Sequence, residues 1–393
     1  MTLNRSSATA TPVTHAPEAV TQQAVAAPAL GAALRRSSAG MITLGVLGVV
    51  GGGVAVLVIT AVLLEGLGPG LVFIGGLLAL VPLAIVFFVV RWIDRWEPEP
   101  RLAVAFAFLW GAGVSVLAAL IVGAEFDSLL AAMAGSAEQH QFLSAAVQAP
   151  IVEELGKGIG LLLIFFVARK HFDGPVDGLV YAAWVAGGFA FTENILYFGA
   201  EIVETGNPLA IFIVRGLMSP FAHVMFTACM GVALGFASHR ASVLATIGLF
   251  LVGLVGAVLL HALWNGALFF VTDFFGYYAI VQFPLFLGAV FIEFRLRREE
   301  AKLTHARLTE YAVAGWFNPQ EIDALATPAG RRQAMAWARS NGRGSQMKRY
   351  LHDATRLAFA RQRIIIGRDR IGAQHDEAML LDAVVNSRRA LTA

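Results

Sequence analysis

Eight side chains in this sequence stand where a lipid-embedded helix has no use for them. Glu153, Glu154 and Lys157 share one apolar segment, Glu193 and Asn194 lie in the next, His223 in a third, and His261 and Asn265 in a fourth. A charge near a bilayer centre costs at least about 2.5–3.5 kcal/mol on insertion scales. Polar groups in four consecutive segments therefore imply that they face one another and act together. Helical spacing sorts them. Lys157 follows Glu153 by four residues and Glu154 by three, so the three are neighbours on one helix surface. His261 and Asn265, also four apart, point to one site. Lys157 can hold one carboxylate ionised while the other, desolvated beside a like charge, takes up a proton more readily. That division of labour suits a general base or acid.

Hydrolysis inside a membrane needs an activated water and a stabilised oxyanion. Several known solutions are missing from the sequence. There is no His-Glu-x-x-His run and no Gly-x-Ser-x-Gly run. The single cysteine, Cys229, sits in an apolar run without a neighbouring base and excludes both an intrachain disulfide and a Cys-rich metal site. Carboxylate and imidazole remain. Either a Glu activates water while His or Asn donates to the oxyanion, or His223, His261 and a Glu hold a metal whose bound water attacks. The two histidines lie on separate segments, so spacing does not choose between these. Each group alone has a structural alternative: a Glu–Lys clasp, or interhelical hydrogen bonds from His and Asn. Three Glu, one Lys, two His and two Asn together exceed what such gluing requires. The main functional rival is a transporter with a proton or ion relay, against which the chain shows no internal repeat. A membrane scaffold would leave the glutamates unexplained.

The elements that must position these groups follow from composition. Hydrophobic residues make up 57% of the 393, charged residues only 14%, and mean hydropathy is +0.69. A soluble domain is nearer to about 25% charged, so the chain reads as a polytopic membrane protein. Residues 1–39, rich in Ala, Thr, Ser and Pro, read as a disordered tail. The first apolar run, from near Met41, is long enough to span and is read as a membrane segment, not a signal peptide. Eight spans are expected, at 41–63, 71–90, 102–123, 142–168, 176–198, 208–236, 242–271 and 277–294. Loops containing Arg or Lys (Arg35-Arg36; Arg91, Arg95 and Arg101; Arg169-Lys170; Arg240; Arg295, Arg297 and Arg298) alternate with loops lacking them. The positive-inside rule then makes this a multi-pass cell-membrane protein with both termini in the cytoplasm. Arg215, in the outer part of the sixth segment, is the exception: either it snorkels to the outer interface or the helix begins nearer to it than residue 208. At 1.5 Å per residue, Glu193 lies roughly 8 Å, His261 roughly 15 Å, Glu153 roughly 16 Å and His223 roughly 20 Å from the outer ends of their helices. The set is thus biased to the outer half.

Residues 295–393 hold 18 Lys/Arg against 10 Asp/Glu, whereas the rest of the chain is net acidic. Asn318-Pro319-Gln320-Glu321 has the form of a capped helix start. Tyr350, Leu351, Ala354, Leu357 and Ala358 recur at helical spacing. The expected fold is therefore all-α: a tail over 1–39, a membrane domain of about eight helices over 40–295, and a small basic cytosolic helical region over 296–393. A lipid bilayer is the expected surrounding, and no nucleic-acid partner is expected.

These residues resemble a known family. Glu153-Glu154-Leu-Gly-Lys157, Gly188-Phe-Ala-Phe-Thr-Glu193-Asn194-x-x-Tyr197, His223 and His261-Ala-Leu-Trp264-Asn265 are similar to the motifs of the PrsW intramembrane proteases. So are Asp94-Arg-Trp-Glu97-Pro-Glu99-Pro100 and Asp177-Gly178. The likeness covers roughly residues 80–295. The stretch around Gly315-Trp316-Phe317 resembles extensions of actinobacterial members, which implies a bacterial source. The resemblance implies a peptidase acting on membrane protein or peptide substrates, in the family's best-known role the first cut in a membrane-bound anti-sigma factor. It implies Glu153, Glu154, Glu193, His223 and His261 as catalytic residues, Asn265 as an oxyanion donor, and Lys157 and Asn194 in support. The family is similar to the CAAX prenyl endopeptidases and is classed as metallo- or glutamic-type. The first class implies zinc on His223, His261 and Glu193, and the second implies no cofactor. The CAAX-type Glu-Glu-x-x-x-Arg is replaced here by a Lys one residue earlier, which argues against a prenylated substrate.

Overall fold

The computed structural model describes residues 28–239, 242–368 and 370–392; no strand occurs among them. Among the described residues, the chain from Thr43 onwards forms one compact unit. Most of the expected disordered tail, residues 1–27, lies outside the described residues, and residues 28–39 are helical. In chain order the helices are α1 (Pro28–Leu67), α2 (Pro69–Ile93), α3 (Arg101–Leu109), α4 (Val116–Met133), α5 (Ala137–Leu143), α6 (Ala149–Val167), α7 (Pro175–Thr205), α8 (Leu209–Ile211), α9 (Ala222–Ser238), α10 (Val243–Ala267), α11 (Phe274–Tyr277) and α12 (Phe283–Val313). Four more follow: α13 (Pro319–Ala326), α14 (Pro328–Ser340), α15 (Gly344–Ile365) and α16 (Arg370–Thr392). Wide π-turns join α3 to α4 (Trp110–Ser115), α5 to α6 (Ser144–Gln148), α8 towards α9 (Phe212–Met218) and α11 to α12 (Tyr278–Gln282).

Among the described residues, seven helical stretches are long and apolar enough to cross a membrane: Ile42–Leu67, Pro69–Ile93, Arg101–Met133, Pro175–Thr205, Leu209–Ser238, Val243–Ala267 and Phe274–Val313. The expected span at 142–168 is not one of them. It is helical from α5 through α6, but Glu153, Glu154 and Lys157 fall within five residues and give it a composition unlike a lipid-facing helix. Pro150 is accommodated in the first turn of α6, directly after a π-turn. The missing proline N–H falls at the junction with that π-turn, where the helical hydrogen-bond ladder is already shifted.

The centre of the membrane part is α7, which packs on α2, α3, α9 and the π-turn at 110–115. Glycines permit this closeness. A Cβ on Gly178 would lie 1.9 Å from the Gly231 carbonyl oxygen, and one on Gly231 would lie 2.1 Å from that of Gly178. The backbones of α7 and α9 therefore touch, as small residues in membrane helices allow. Gly160 likewise leaves room for Trp110, whose Nε1 donates to the Gly156 carbonyl at 3.0 Å. Gly235, one turn after Gly231, lies as close to the start of α7, with a Cβ there 2.2 Å from Pro175 Cα.

The boundary expected at 295/296 falls inside α12, which runs unbroken to Val313. Beyond it α13–α16 bury Tyr350, Leu351, Ala354, Leu357 and Ala358, the stripe expected from spacing. The expected helix start is also present: Glu321 N–H donates to Asn318 Oδ1 at 2.7 Å, and Asn318 N–H donates to Glu321 Oε2 at 3.2 Å.

Candidate active site

The four polar segments converge. Glu153, Glu154, His223 and His261 each present a donor atom, and these four atoms lie within 4.8 Å of one another. The first two come from α6, the third from the start of α9, the fourth from α10. The arrangement follows from the fold: α6 packs on both α9 and α10, and α9 on α10, with no loop interposed.

Glu154 is fully buried and both its oxygens are engaged. Oε1 accepts from Lys157 Nζ at 2.7 Å and faces His261 Nδ1 at 3.1 Å, and Oε2 accepts from Thr227 Oγ1 at 2.8 Å. Glu153 keeps 12% of its side chain accessible and takes one long contact from Lys157, 3.3 Å, with His261 Nε2 at 3.9 Å. The two adjacent glutamates are therefore in different states: one is held from both sides, the other has an oxygen to spare.

Chemistry fixes the histidine tautomers. Lys157 Nζ has only protons to offer and lies 3.2 Å from His223 Nδ1, so that nitrogen accepts. The proton is then on Nε2, which donates to Glu193 at 2.9 Å. His261 Nδ1 faces a carboxylate oxygen and carries its proton, which leaves the Nε2 lone pair towards Glu153. Phe226 stacks on the His261 ring, with centroids 4.9 Å apart and planes at 21°, and restricts its rotation.

Glu193 is outside the four-residue group. It fixes the His223 ring from behind, as carboxylates behind ligand histidines commonly do, and it pairs with Arg215. Of the three residues inferred as metal ligands, His223 and His261 lie in the quartet, while Glu153 and Glu154 stand where Glu193 was expected. Arg215 does not snorkel. It donates to Glu193 and, through Nε at 2.9 Å, to Asn194 Oδ1, and its guanidinium lies 3.9 Å from the Tyr197 ring centroid. Asn265 donates to the Ala145 carbonyl at 2.9 Å, which commits one of its two N–H groups. Sequence reasoning missed Arg215 and Thr227 as members of the cluster. Arg215 had a signal, a charge breaking the loop pattern; a threonine in a membrane helix had none.

Two carboxylates and two imidazoles at this separation fit the ligand chemistry of zinc, which takes His nitrogen and Glu oxygen and leaves a position open at catalytic sites. Beside His223 a small cleft of about 20 Å³, room for about one water, runs between α2, α7 and α10 and is lined by Val86, Phe191, Asn194, Arg215 and Trp264. It shares Ser219, Pro220, Ala222 and Trp264 with a larger apolar cavity of about 260 Å³ towards α12.

Comparison with known proteins covers the part of the chain that holds these residues. Residues 99–289 match the family model described as PrsW family intramembrane metalloprotease. Protease PrsW of Clostridioides difficile (strain 630) is 33% identical over 156 residues, 39% of this chain and 62% of that protein. Protease PrsW of Geobacillus kaustophilus (strain HTA426) is 35% identical over 144 residues, 36% of this chain and 57% of that protein. That of Shouchella clausii (strain KSM-K16) is 27% identical over 207 residues, 52% and 86% of the two chains. The chain thus spans about three-fifths of the length of the first two relatives. No solved structure matches it. The matched stretch contains every helix that contributes to the charged centre, and over it this chain is similar to the PrsW family.

Proposed function

We propose that the protein is an intramembrane endopeptidase that hydrolyses peptide bonds of membrane-associated proteins. The observation that carries this reading is the quartet of Glu153, Glu154, His223 and His261 inside a bundle of apolar helices. A relay for protons or ions would need a polar path through the bundle, whereas these groups form one compact cluster, and the family match favours a peptidase.

The unequal state of the two glutamates supports separate roles for them. Glu153, with an unsaturated carboxylate at the accessible side, is the general base that takes the proton of the attacking water. Glu154, locked by Lys157, His261 and Thr227, orients the His261 ring and keeps its Nε2 aimed at Glu153. The remaining Asn265 N–H faces the developing oxyanion, while His223, its Nε2–H held by Glu193 and Glu193 held by Arg215, keeps Nδ1 turned to the centre. In the metal-dependent form, Glu153, Glu154, His223 and His261 hold the ion. Zinc bound there supplies a water of lowered pKa and polarises the scissile carbonyl.

The substrate is a membrane protein or peptide, an anti-sigma factor cut on the extracytoplasmic side being the example the family suggests. It reaches His223 from the cleft bordered by α2 and Trp264. Both termini lie in the cytoplasm of a bacterial cell, of actinobacterial type by its C-terminal extension, provided the α5–α6 segment counts as the eighth crossing; fusions at Ala393 that fluoresce only in the cytoplasm test this. Activity is tested with a co-expressed single-pass substrate. Glu153→Gln and Glu154→Gln should each abolish cleavage while the protein stays in the membrane fraction, and retained cleavage in both would sink the reading.

A further inference from the structure

The centre already contains a cation. Lys157 Nζ lies 2.7 Å from Glu154 Oε1, 3.3 Å from Glu153 Oε2 and 3.2 Å from His223 Nδ1. An ammonium has three N–H groups, and each meets a different residue of the four that could ligate a metal. The side chain is fully buried, and the Phe189 ring closes its remaining side at 3.8 Å. Lys157 is therefore not a neighbour of the ligand set but lies among its members.

Two carboxylates side by side away from water need a compensating positive charge, because each is desolvated and repels the other. A divalent ion would provide that charge, and so does the ammonium. Both cannot do so through the same atoms. Zinc bonds to nitrogen and oxygen at about 2.0–2.2 Å, so an ion bonded to Glu154 and His223 would overlap a nitrogen held about 3 Å from each. The lysine stem is four carbons long and rotatable, and it can withdraw where a shorter residue could not.

We infer that Lys157 and a divalent metal ion are alternative occupants of one site, the lysine ammonium filling the metal-free centre and leaving it when the ion binds. The inference takes its location from the proposed peptidase centre but is read by metal binding, so its failure is separate from a failure to cleave. It makes the metal-free protein a properly assembled state with weak metal affinity, not a damaged one.

The test uses the full-length protein in detergent, stripped with a chelator and titrated with zinc against a competing chelator. Lys157→Met removes the resident cation and should raise zinc affinity at least about tenfold, as expected for two mutually exclusive ligands when one is deleted. Elemental analysis should find a single ion per chain. Lys157→Arg keeps the cation and should bind zinc no better than the wild type. Thermal unfolding gives the reciprocal readout: metal-free Lys157→Met should melt below the metal-free wild type and gain more from zinc. Equal or weaker zinc binding by Lys157→Met would overturn the inference, since lysine would then support the metal or ignore it. Should Lys157→Met fail to accumulate in ordinary medium, its recovery in zinc-supplemented medium supports the exchange. Failure in both means that zinc cannot replace the ammonium, and overturns it.

Discussion

The same two helices, α6 and α7, carry buried polar clusters at opposite ends, and the clusters are built differently. At one end Glu153, Glu154 and Glu193 are each met by a cation or an imidazole from another turn or another helix. At the other, about 20 Å further along α6, lie Asp94, Glu97, Glu99, Asp173 and Asp177, which are served mostly by backbone and by the C-terminal bundle. Asp177 accepts from the Asp173 and Gly174 N–H groups at 2.7 and 2.9 Å, and Glu99 accepts from the Tyr181 hydroxyl at 2.6 Å. Asp173 pairs with Arg363 at 2.8 Å. Arg368 donates to the carbonyls of Arg169, Phe172 and Ser238, joining the segment after α6 to the last residue of α9. Burial pushes Glu97 and Glu99 well above the usual carboxylate range. The first cluster thus holds charge in place, whereas the second suppresses it or ties it to the bundle. Polar burial alone does not mark an active site; carboxylates and imidazoles close enough to share one ion do.

The comparison breaks most sharply at Glu153. Glu153→Gln should lower cleavage by about 10²–10⁴-fold, the range for loss of a general base, with an unfolding midpoint close to wild type. Glu154→Gln should lose both cleavage and stability, because it disturbs Lys157 and Thr227 as well. Equal melting of the two variants, read by fluorescence in detergent, would contradict the division between them. At the other cluster Arg368→Ala should cost about 3 kcal/mol, since it strands three buried carbonyls. Limited proteolysis of α13–α16 should accelerate accordingly. Arg368→Lys should not restore protection, because a point charge cannot fork across three carbonyls. A proteolysis rate equal to wild type for Arg368→Ala would remove the bundle from the account. Between these in character, Arg215→Met should lower cleavage about 10–100-fold, as expected when the partner that orients a reactive histidine is lost, with little change in zinc affinity. A large fall in zinc affinity would put Arg215 and Glu193 in the ligand set.

How much of this was readable beforehand follows the same contrast. The charged centre was legible because Glu153, Glu154, Lys157, His223 and His261 interrupt apolar runs, and a membrane makes each interruption costly. Their mutual arrangement was legible only within a helix: the i,i+3 and i,i+4 spacings gave the contacts of Lys157 to both glutamates. Which residue crosses to which helix was not, and Glu193 was accordingly placed among the ligands when it sits behind His223. The second cluster was hidden, since Asp94–Pro100 reads as an ordinary polar loop and Asp173 meets Arg363 across 190 residues of sequence. Arg215 was visible as an anomaly, but the cheapest explanation for a charge near a helix end, snorkelling, was the wrong one, because its partners Glu193 and Asn194 lie on another helix. The bundle stripe at 350–358 was legible from period alone, and α12 passing through the expected domain boundary was not, because a helix can leave the apolar layer without breaking.

The smallest effect separates the clusters by pH. Burial raises Asp94, which lies outside the spanning helices, from its ordinary value of 3.8 to about 7, against the opposing hydrogen bonds from the Glu99 N–H. Between those two values the folded state binds the proton more tightly than the unfolded state, so stability falls as pH rises and levels off above about 7. Asp94→Asn keeps the Oδ1 acceptor for Glu99 but cannot ionise. It should match the wild type near pH 4 and exceed it by about 1 kcal/mol near pH 8, a figure discounted for partial exposure. Glu97 and Glu99 add slopes of the same sign to both proteins, so the difference between the two stability–pH curves isolates Asp94. Parallel curves from pH 4 to 8 would mean that this carboxylate is solvated in the folded state, and the distinction between a cluster that holds charge and one that suppresses it would then rest on Glu97 and Glu99 alone.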